Sequence, residues 1–429
     1  MLMCEKNLNS NNCKPNIWII NHYATKMFNN RGGRHFSFAQ KLIERGYQAS
    51  IICANTIHNS SDTLEIGKEG FAFKTADGVP FVFVDAATYK TNSFDRIKNM
   101  FAFTLNVIKL KRKLPQFIDK PDTIIASSVH PFTCIAGLKL GRYFKVPVIV
   151  EIRDLWPDTL IAMGAFKKDS LFAMFLYRVE RSIYKRADAV VFTMQGGKQY
   201  IIDKKWTDVV DLRKVFYINN GVDLSQFDEN VIRHCVHDCD LSNSEQLNFV
   251  YTGSVRKVNE LRSLIDVFSA VRFDNAKLLI WGSGNEKQNL EEYCNSKGIT
   301  NVVFKGYVQK EKIPSIVTQS YMNVLHNVSL DVHKYGMSMN KLFEYLASGK
   351  PVFATSDYGY NIIDNYDCGV TADGTPNDTI EKLNKSISLS EDEYGIMGYN
   401  SRKTAELFDF IRLTDSLEQV IGYVLSNRK

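Results

Sequence analysis

The chain predicts a doubly wound α/β protein made of two successive units, on three observations. Short apolar runs of strand length alternate with helical spans, the same alternation recurs after an Asn-Asn-Gly turn at 219–221, and glycine-bearing turns follow several runs directly. Runs that are apolar throughout, without in–out alternation, suit parallel strands covered on both faces.

In chain order, the first-half strands are read at NIWIINHY (16–23), QASIICAN (48–55), PFVFVDA (80–86), TIIASSV (123–129), PVIVEI (147–152) and AVVFTM (189–194). The second half repeats the theme with LNFVYTG (247–253), AKLLIWGSG (276–284), NVVFKGYV (301–308), YMNVLHN (321–327) and KPVFATS (350–356). Helical spans lie between them, such as HFSFAQKLIERG (35–46) and ELRSLIDVFSAVR (260–272). The halves part at VFYINNGVDLSQFDEN (215–230), where a strand runs into a turn and a polar stretch follows to about 247. This gives two Rossmann-like domains, 1–220 and 221–408. Periodicity assigns the final helix, 409–429, to neither; a return onto the first domain is the expectation.

The 429 residues, 45% hydrophobic, suffice for two or three cores. A net charge of +6 is too small to mark a nucleic-acid binder, but it suits an anionic ligand or membrane surface. No apolar run approaches the roughly 18 residues of a membrane span, and the polar opening lacks a signal-peptide pattern. Eight cysteines scattered among apolar runs fit reduced structural thiols, so the expectation is a cytoplasmic protein leaning on the inner face of the membrane.

Two strand-to-helix turns in the second half carry candidate ligand groups. In LLIWGSGNEKQNL, Gly282 and Gly284 would let backbone amides approach a phosphate at a helix start. In FVYTGSVRK, Gly253 precedes Arg256 and Lys257, which offer a planar fork and a point charge to a diphosphate. Both open at the carboxyl edge of a sheet, where open α/β proteins bind ligands. The stretch MSMNKLFEYLASGKPVFA (337–354) predicts a helix with Ser338 as N-cap and Gly349 at its end. Asn340 and Glu344 share a face of that helix, with Lys341 near its start. A carboxylate there can accept both vicinal hydroxyls of a ribose; spacing alone equally allows a Glu on a solvent face.

NKLFEYLASGKPVFA, WGSGNEKQNL, FKGYVQKEKIPSIV, YINNGVDLSQF and VEIRDLWPDTL together resemble the GT-B glycosyltransferases of family 4, in the bacterial O-antigen and capsule subgroup marked by Arg-Asp-Leu-Trp-Pro. The resemblance implies a GT-B fold whose C-terminal domain holds a nucleotide-sugar, UDP-linked, while the N-terminal domain takes a lipid-linked saccharide acceptor. It places Glu344 on the donor ribose, the Arg256–Lys257 region on the diphosphate, Gly282 and Gly284 beside them, and the base near Tyr307 and Val308. It sets the loop Gly32–Gly33 against donor phosphates and acceptor, and makes His130 a cleft residue. Glu151 and Asp154 are read as cleft-lining groups, one orienting the acceptor hydroxyl. A second family glutamate, eight positions before Glu344, is replaced by Gly336, so backbone around 337–339 is expected to hold the sugar. The family implies retention, with no metal and no cofactor.

Two patterns stand apart. RHCVHDCD (233–240) gathers His, Cys and Asp, but lacks a second ligand pair at zinc spacing and is read as a solvated loop. NSFDRIKNMFAFTLNVIKLKRKLPQF (92–117) mixes apolar residues with Lys109, Lys111, Arg112 and Lys113, as expected of a helix resting on anionic lipid. The rival functional readings are an epimerase or hydrolase on the same fold, and a non-catalytic nucleotide-binding subunit.

Overall fold

The computed structural model describes residues 14–57, 62–87, 93–128 and 130–427; Cys4, Cys13 and residue 92 lie outside them. The described chain forms two sheets joined near Ile218. The first contains β1 (Asn16–Ile20), β2 (Gln48–Ala54), β3 (Phe71–Ala76), β4 (Val79–Val84), β5 (Thr123–Ser128), β6 (Val148–Ile152), β7 (Ala189–Phe192) and β8 (Val215–Tyr217), in the order 3-4-2-1-5-6-7-8. The second contains β9 (Leu247–Thr252), β10 (Ala276–Trp281), β11 (Val302–Gly306), β12 (Met322–Leu325), β13 (Val352–Ala354) and β14 (Gly369–Thr371), in the order 11-10-9-12-13-14.

All pairings are parallel except β3 with β4. The β1, β5 and β10 segments are buried nearly throughout, which is why they read as continuous apolar runs. The β3–β4 hairpin departs from the expected all-parallel strands. Asp77 and Gly78, at φ 45° and 81°, close the tight turn that Asp-Gly favours. Strand order reverses at β1 in one sheet and at β9 in the other, so each presents a switch-point crevice at its carboxyl edge.

The last helix, Phe410–Ser426, packs on the first domain. Phe410 meets Phe38 edge-on at 5.4 Å, and Arg45 pairs with Glu418 and, at 2.7 Å, with Asp415. Leu413, Leu417, Val420 and Val424 enter the same apolar cluster as Ile17, Phe38 and Ile51. Just before this helix, the Phe410 amide donates to Val222 O at 3.0 Å and the Val222 amide to Phe408 O at 3.1 Å. The chain therefore crosses between domains at two neighbouring points.

Candidate active site

The helix Asn340–Ala347 sets the second domain's contribution. Leu342, Phe343, Tyr345 and Leu346 are buried, and Tyr345 Oη accepts from the Thr252 amide at 2.9 Å, pinning the helix to the end of β9. The remaining face carries Asn340 and Glu344 into a cleft. Across it stand Gly32, Gly33 and Ser37 of the first domain. Glu344 keeps 23% of its side chain exposed, with Lys310 Nζ 3.9 Å away. Crowding by the walls raises its carboxyl above the ordinary value, opposed by Lys310 and Lys341.

Lys341 turns the other way. Its Nζ lies 4.1 Å from the Tyr251 ring centre and beside the turn at Gly253. Burial lowers its amine to about 8, although Glu344 opposes the shift. Lys341, rather than Arg256 or Lys257, is thus the cation set against the glycine turn. Arg256 and Lys257 are exposed, have no ion pair among the described residues, and do not line the cleft holding Glu344.

The glycine turns themselves are corrected in role. A Cβ on Gly282 would stand 1.7 Å from Gly253 O, and one on Gly284 would stand 1.9 Å from Val255 O. The amides of Gly253, Val255 and Gly282 donate to Trp281 O, Ser283 O and Gly306 O at 2.9, 2.9 and 2.8 Å. Those three amides serve the packing of one turn on the next and are not free to meet a phosphate. Tyr307, 73% exposed, lies just past the bend at Gly306, whereas Val308 packs against the apolar cluster that includes Val250, Leu279 and Trp281. Ser338 is not the N-cap: Met339 takes that position, and Ser338 Oγ donates to Asn219 Oδ1 at 2.5 Å.

On the first-domain side, Gly33 at φ 104° precedes the helix Arg34–Glu44. Glu151 is 3% exposed and fully engaged. It pairs with Arg34 at 2.7 Å and accepts from His35 Nε2 and Ser127 Oγ, each at 2.8 Å. Asn21 Nδ2 donates to His35 Nδ1 at 2.8 Å, which fixes the neutral His35 tautomer with its proton toward Glu151. Burial works to raise the Glu151 carboxyl, but Arg34 and His35 outweigh it and hold it well below the usual range. This carboxylate is a structural hub; it does not line the cleft or offer itself to an acceptor.

The hub reaches the other domain. Arg34 also donates to Ile218 O at 2.9 Å and to Asn219 O, and Asn220 Nδ2 donates to Ser338 O at 2.7 Å. One hydrogen-bonded chain thus links β6, the interdomain turn and the entry to the Glu344 helix.

His130 is 0% exposed, its Nε2 2.6 Å from His22 Nδ1. Burial, aided by Arg96, lowers it to about 3, so it stays neutral at ordinary pH and is not a cleft-wall acid. Asp154 does face the cleft, in a second section shared with Arg153, Thr159, His333, Gly336 and Ser338. The surrounding walls raise its carboxyl, against Arg153 and Arg96. Gly336, at φ 99°, is wedged between Gln195 N and Gly359 O, each 3.4 Å from where a Cβ would stand, which leaves a side chain little room.

In the His/Cys segment, Asp238 and Asp240 serve ion pairs. Lys305 reaches them at 2.7 and 2.5 Å, and Lys277 reaches Asp240 at 3.1 Å. Asp238, Cys239 and Asp240 do lie within 4.8 Å of one another, but two lysines already balance the two carboxylates.

Sequence reading missed Lys310, Arg34 and the Asn219–Asn220–Ser338 link. Lys310 lies in the FKGYVQKEKIPSIV run and was open to notice as a cation before a helix; the other contacts join residues far apart in sequence.

Two parallel-sheet domains facing a cleft define the GT-B class. A family model described as Glycosyl transferases group 1 matches residues 239–404, and one described as Glycosyltransferase Family 4 matches residues 36–226. The chain belongs to the family 4 GT-B glycosyltransferases. The probable glycosyltransferase WbjE of Pseudomonas aeruginosa is 21% identical over 60% of this chain, a match spanning 63% of that relative's length. Among solved structures, sucrose-phosphate synthase of Thermosynechococcus elongatus superposes with TM-score 0.71 at 14% identity, over 96% of this chain and 100% of that one. Anabaena HepE, solved with UDP and glucose, gives 0.62 at 12% identity, over 95% and 99%.

Proposed function

We propose that the protein moves a sugar from a UDP-sugar to a lipid-linked saccharide in bacterial surface-polysaccharide assembly, with retention and without a metal or cofactor. The observation that carries this reading is the Glu344 carboxylate, open to the cleft opposite Gly32 and Gly33, one helical turn from the Lys341 amine beside Gly253. Glu344 accepts the ribose hydroxyls, and Lys341 neutralises charge that grows on the leaving diphosphate. Lys310 stands at the same carboxylate, and Tyr307 offers a surface for the base.

Asp154 faces the sugar section of the cleft and orients the acceptor hydroxyl; a phosphate oxygen of the departing diphosphate takes its proton. HepE's complex with UDP and glucose is consistent with a UDP-linked donor. The membrane-facing acceptor is supported by the helix Ser93–Lys109, which exposes Ile97, Phe101 and Leu105 and is followed by Lys111, Arg112 and Lys113. No described helix is long and apolar enough to cross a membrane.

The test is mass spectrometry of products from a panel of nucleotide-sugars with a membrane-lipid extract. A glycosylated lipid formed from one UDP-sugar is expected. Free sugar or an epimer formed without any acceptor would replace this reading with the hydrolase or epimerase one.

A further inference from the structure

A cluster of tyrosines and carboxyls behind the cleft has no part in the chemistry described above. Glu180, on the helix Leu171–Arg186, is 4% exposed and lines a small cavity with Asp154 and Trp156. Tyr200, on the helix Gly197–Asp203, is closed to solvent. Its Oη lies 2.7 Å from Asp158 Oδ2 and 2.9 Å from Glu180 Oε2, and Tyr184 Oη donates to Glu180 Oε1 at 2.6 Å. Asp158 also takes the Tyr177 hydroxyl and the Lys204 ammonium, each at 2.6 Å.

A phenol has one proton to give, so Tyr200 cannot donate to both carboxyls. Burial, aided by Asp158, pushes the Glu180 carboxyl up to about 8, against Tyr184, Tyr200 and Lys204. At neutral pH Glu180 keeps its proton and donates to Tyr200, which in turn donates to Asp158. The direction of the chain is thereby set.

The same side chain meets the other domain. Tyr335 comes from the second domain, yet it is buried in the first domain's apolar cluster with Tyr184, Phe192 and Trp206. Its ring stands edge-on to that of Tyr200 at 5.2 Å, and its hydroxyl donates to Asp203 at 2.7 Å. Its carbonyl accepts from the Gly196 amide at 2.9 Å, and a Cβ on Gly196 would stand 2.7 Å from that oxygen.

Both partners of Tyr200 lead back to the cleft. Asp158 opens the short helix Asp158–Ala162, which carries Thr159, and it follows Asp154 by four residues. Tyr335 directly precedes Gly336. Asp154 and Thr159 line one wall of the sugar section, and residues 336–339 line the other. One hydroxyl and one ring thus hold wall against wall. A shift of about 1 Å between reacting groups can cost about a hundredfold in rate.

We propose that Tyr200 is a positioning residue for sugar transfer: through Asp158 and Tyr335 it fixes the gap between Asp154 and residues 336–339, which holds the sugar against the acceptor hydroxyl. This rests on the sugar section of the preceding reading.

The first arm of the test needs no substrate. Hydrogen exchange on the full chain should rise about tenfold across 329–339 in Tyr200→Phe, the scale of one hydrogen bond. It should stay as in wild type in Tyr184→Phe, which removes a bond to the same Glu180 but none that leads to Tyr335. The second arm measures transfer to a membrane-lipid extract from UDP-glucose, UDP-galactose and their N-acetyl forms, with UDP binding read by calorimetry. Tyr200→Phe and Tyr335→Phe should each lower kcat about tenfold or more. Donor KM and UDP affinity should stay within about twofold, while more UDP-sugar ends as free sugar. The double variant should fall within about twofold of the poorer single, since both act on one gap. Glu180→Gln still donates to Tyr200 and should keep most of the rate. Three results would overturn the proposal: unchanged exchange across 329–339 in folded Tyr200→Phe, a wild-type kcat in that variant, or equal losses in Tyr184→Phe, which would make the cluster merely structural. Wild-type transfer by Asp154→Asn would instead strike the sugar-section reading, and no turnover of any donor would strike the proposed function. In both cases the exchange arm still decides whether Tyr200 joins the two walls.

Discussion

Glu151 and Glu344 are the same side chain in two opposite circumstances. Glu151, near the end of strand β6, receives Arg34, His35 and Ser127 and is closed to water. Glu344, on a helix facing the opposite wall, has one lysine at 3.9 Å and open oxygens. A carboxylate whose acceptor capacity is filled by the protein holds the fold; one left unfilled is available to a ligand. Charge alone does not separate the two roles, but saturation does.

The largest effect should come from breaking the filled carboxylate. Glu151→Ala leaves Arg34 buried without its counter-ion, which should cost about 3–5 kcal/mol of unfolding free energy, read by urea denaturation. A loss below about 1 kcal/mol would show the hub to be dispensable. At Glu344 the pattern should invert. Glu344→Ala should weaken UDP binding by about 1.5–3 kcal/mol while stability shifts by about 0.5 kcal/mol or less; unchanged calorimetric affinity on folded protein rejects the ribose role.

Lys341 sharpens the comparison through pH. Burial pushes its amine down to about 8, so its charge is held below that pH and lost above it. UDP affinity should hold to about pH 7 and fall up to tenfold per pH unit above 8, and Lys341→Arg should flatten the decline. A flat wild-type profile to about pH 9 would remove Lys341 from the phosphate.

The smallest effect tests the join between the two regions. Ser338→Ala removes the hydrogen bond to Asn219 and should cost about 0.5–1.5 kcal/mol, with UDP affinity falling less than for Glu344→Ala.

Much of the framework was legible because parallel strands covered on both faces leave unbroken apolar runs, as at Ile17–Ile20 and Leu278–Trp281. The β3 strand escaped because FAFKTA, at a sheet edge, is buried only at Phe71 and Ala76 and exposed over Phe73–Thr75, so it forms no apolar run; the Asp77–Gly78 turn was its signal. Three-residue β14 carries no periodicity to find.

At the site, Glu344 was legible as a charge set within an apolar helix. The saturation of Glu151 was not, because Arg34 and His35 lie more than a hundred residues earlier in the chain. The glycine turns show a subtler limit. Gly282 and Gly284 mark close backbone approach, but the sequence does not say whether the approaching group is a ligand or, as found, a neighbouring turn.

The paired strands of connection at Val222 and Phe410 have a mechanical consequence. A single tether would let the lobes swivel freely; two tethers side by side act like a door's pair of pins, favouring swing about one line and resisting torsion. Closure on a substrate would then return Gly33 and Glu344 to the same mutual alignment each time, and severing the chain after Phe408 would release that guidance without touching any group in the cleft.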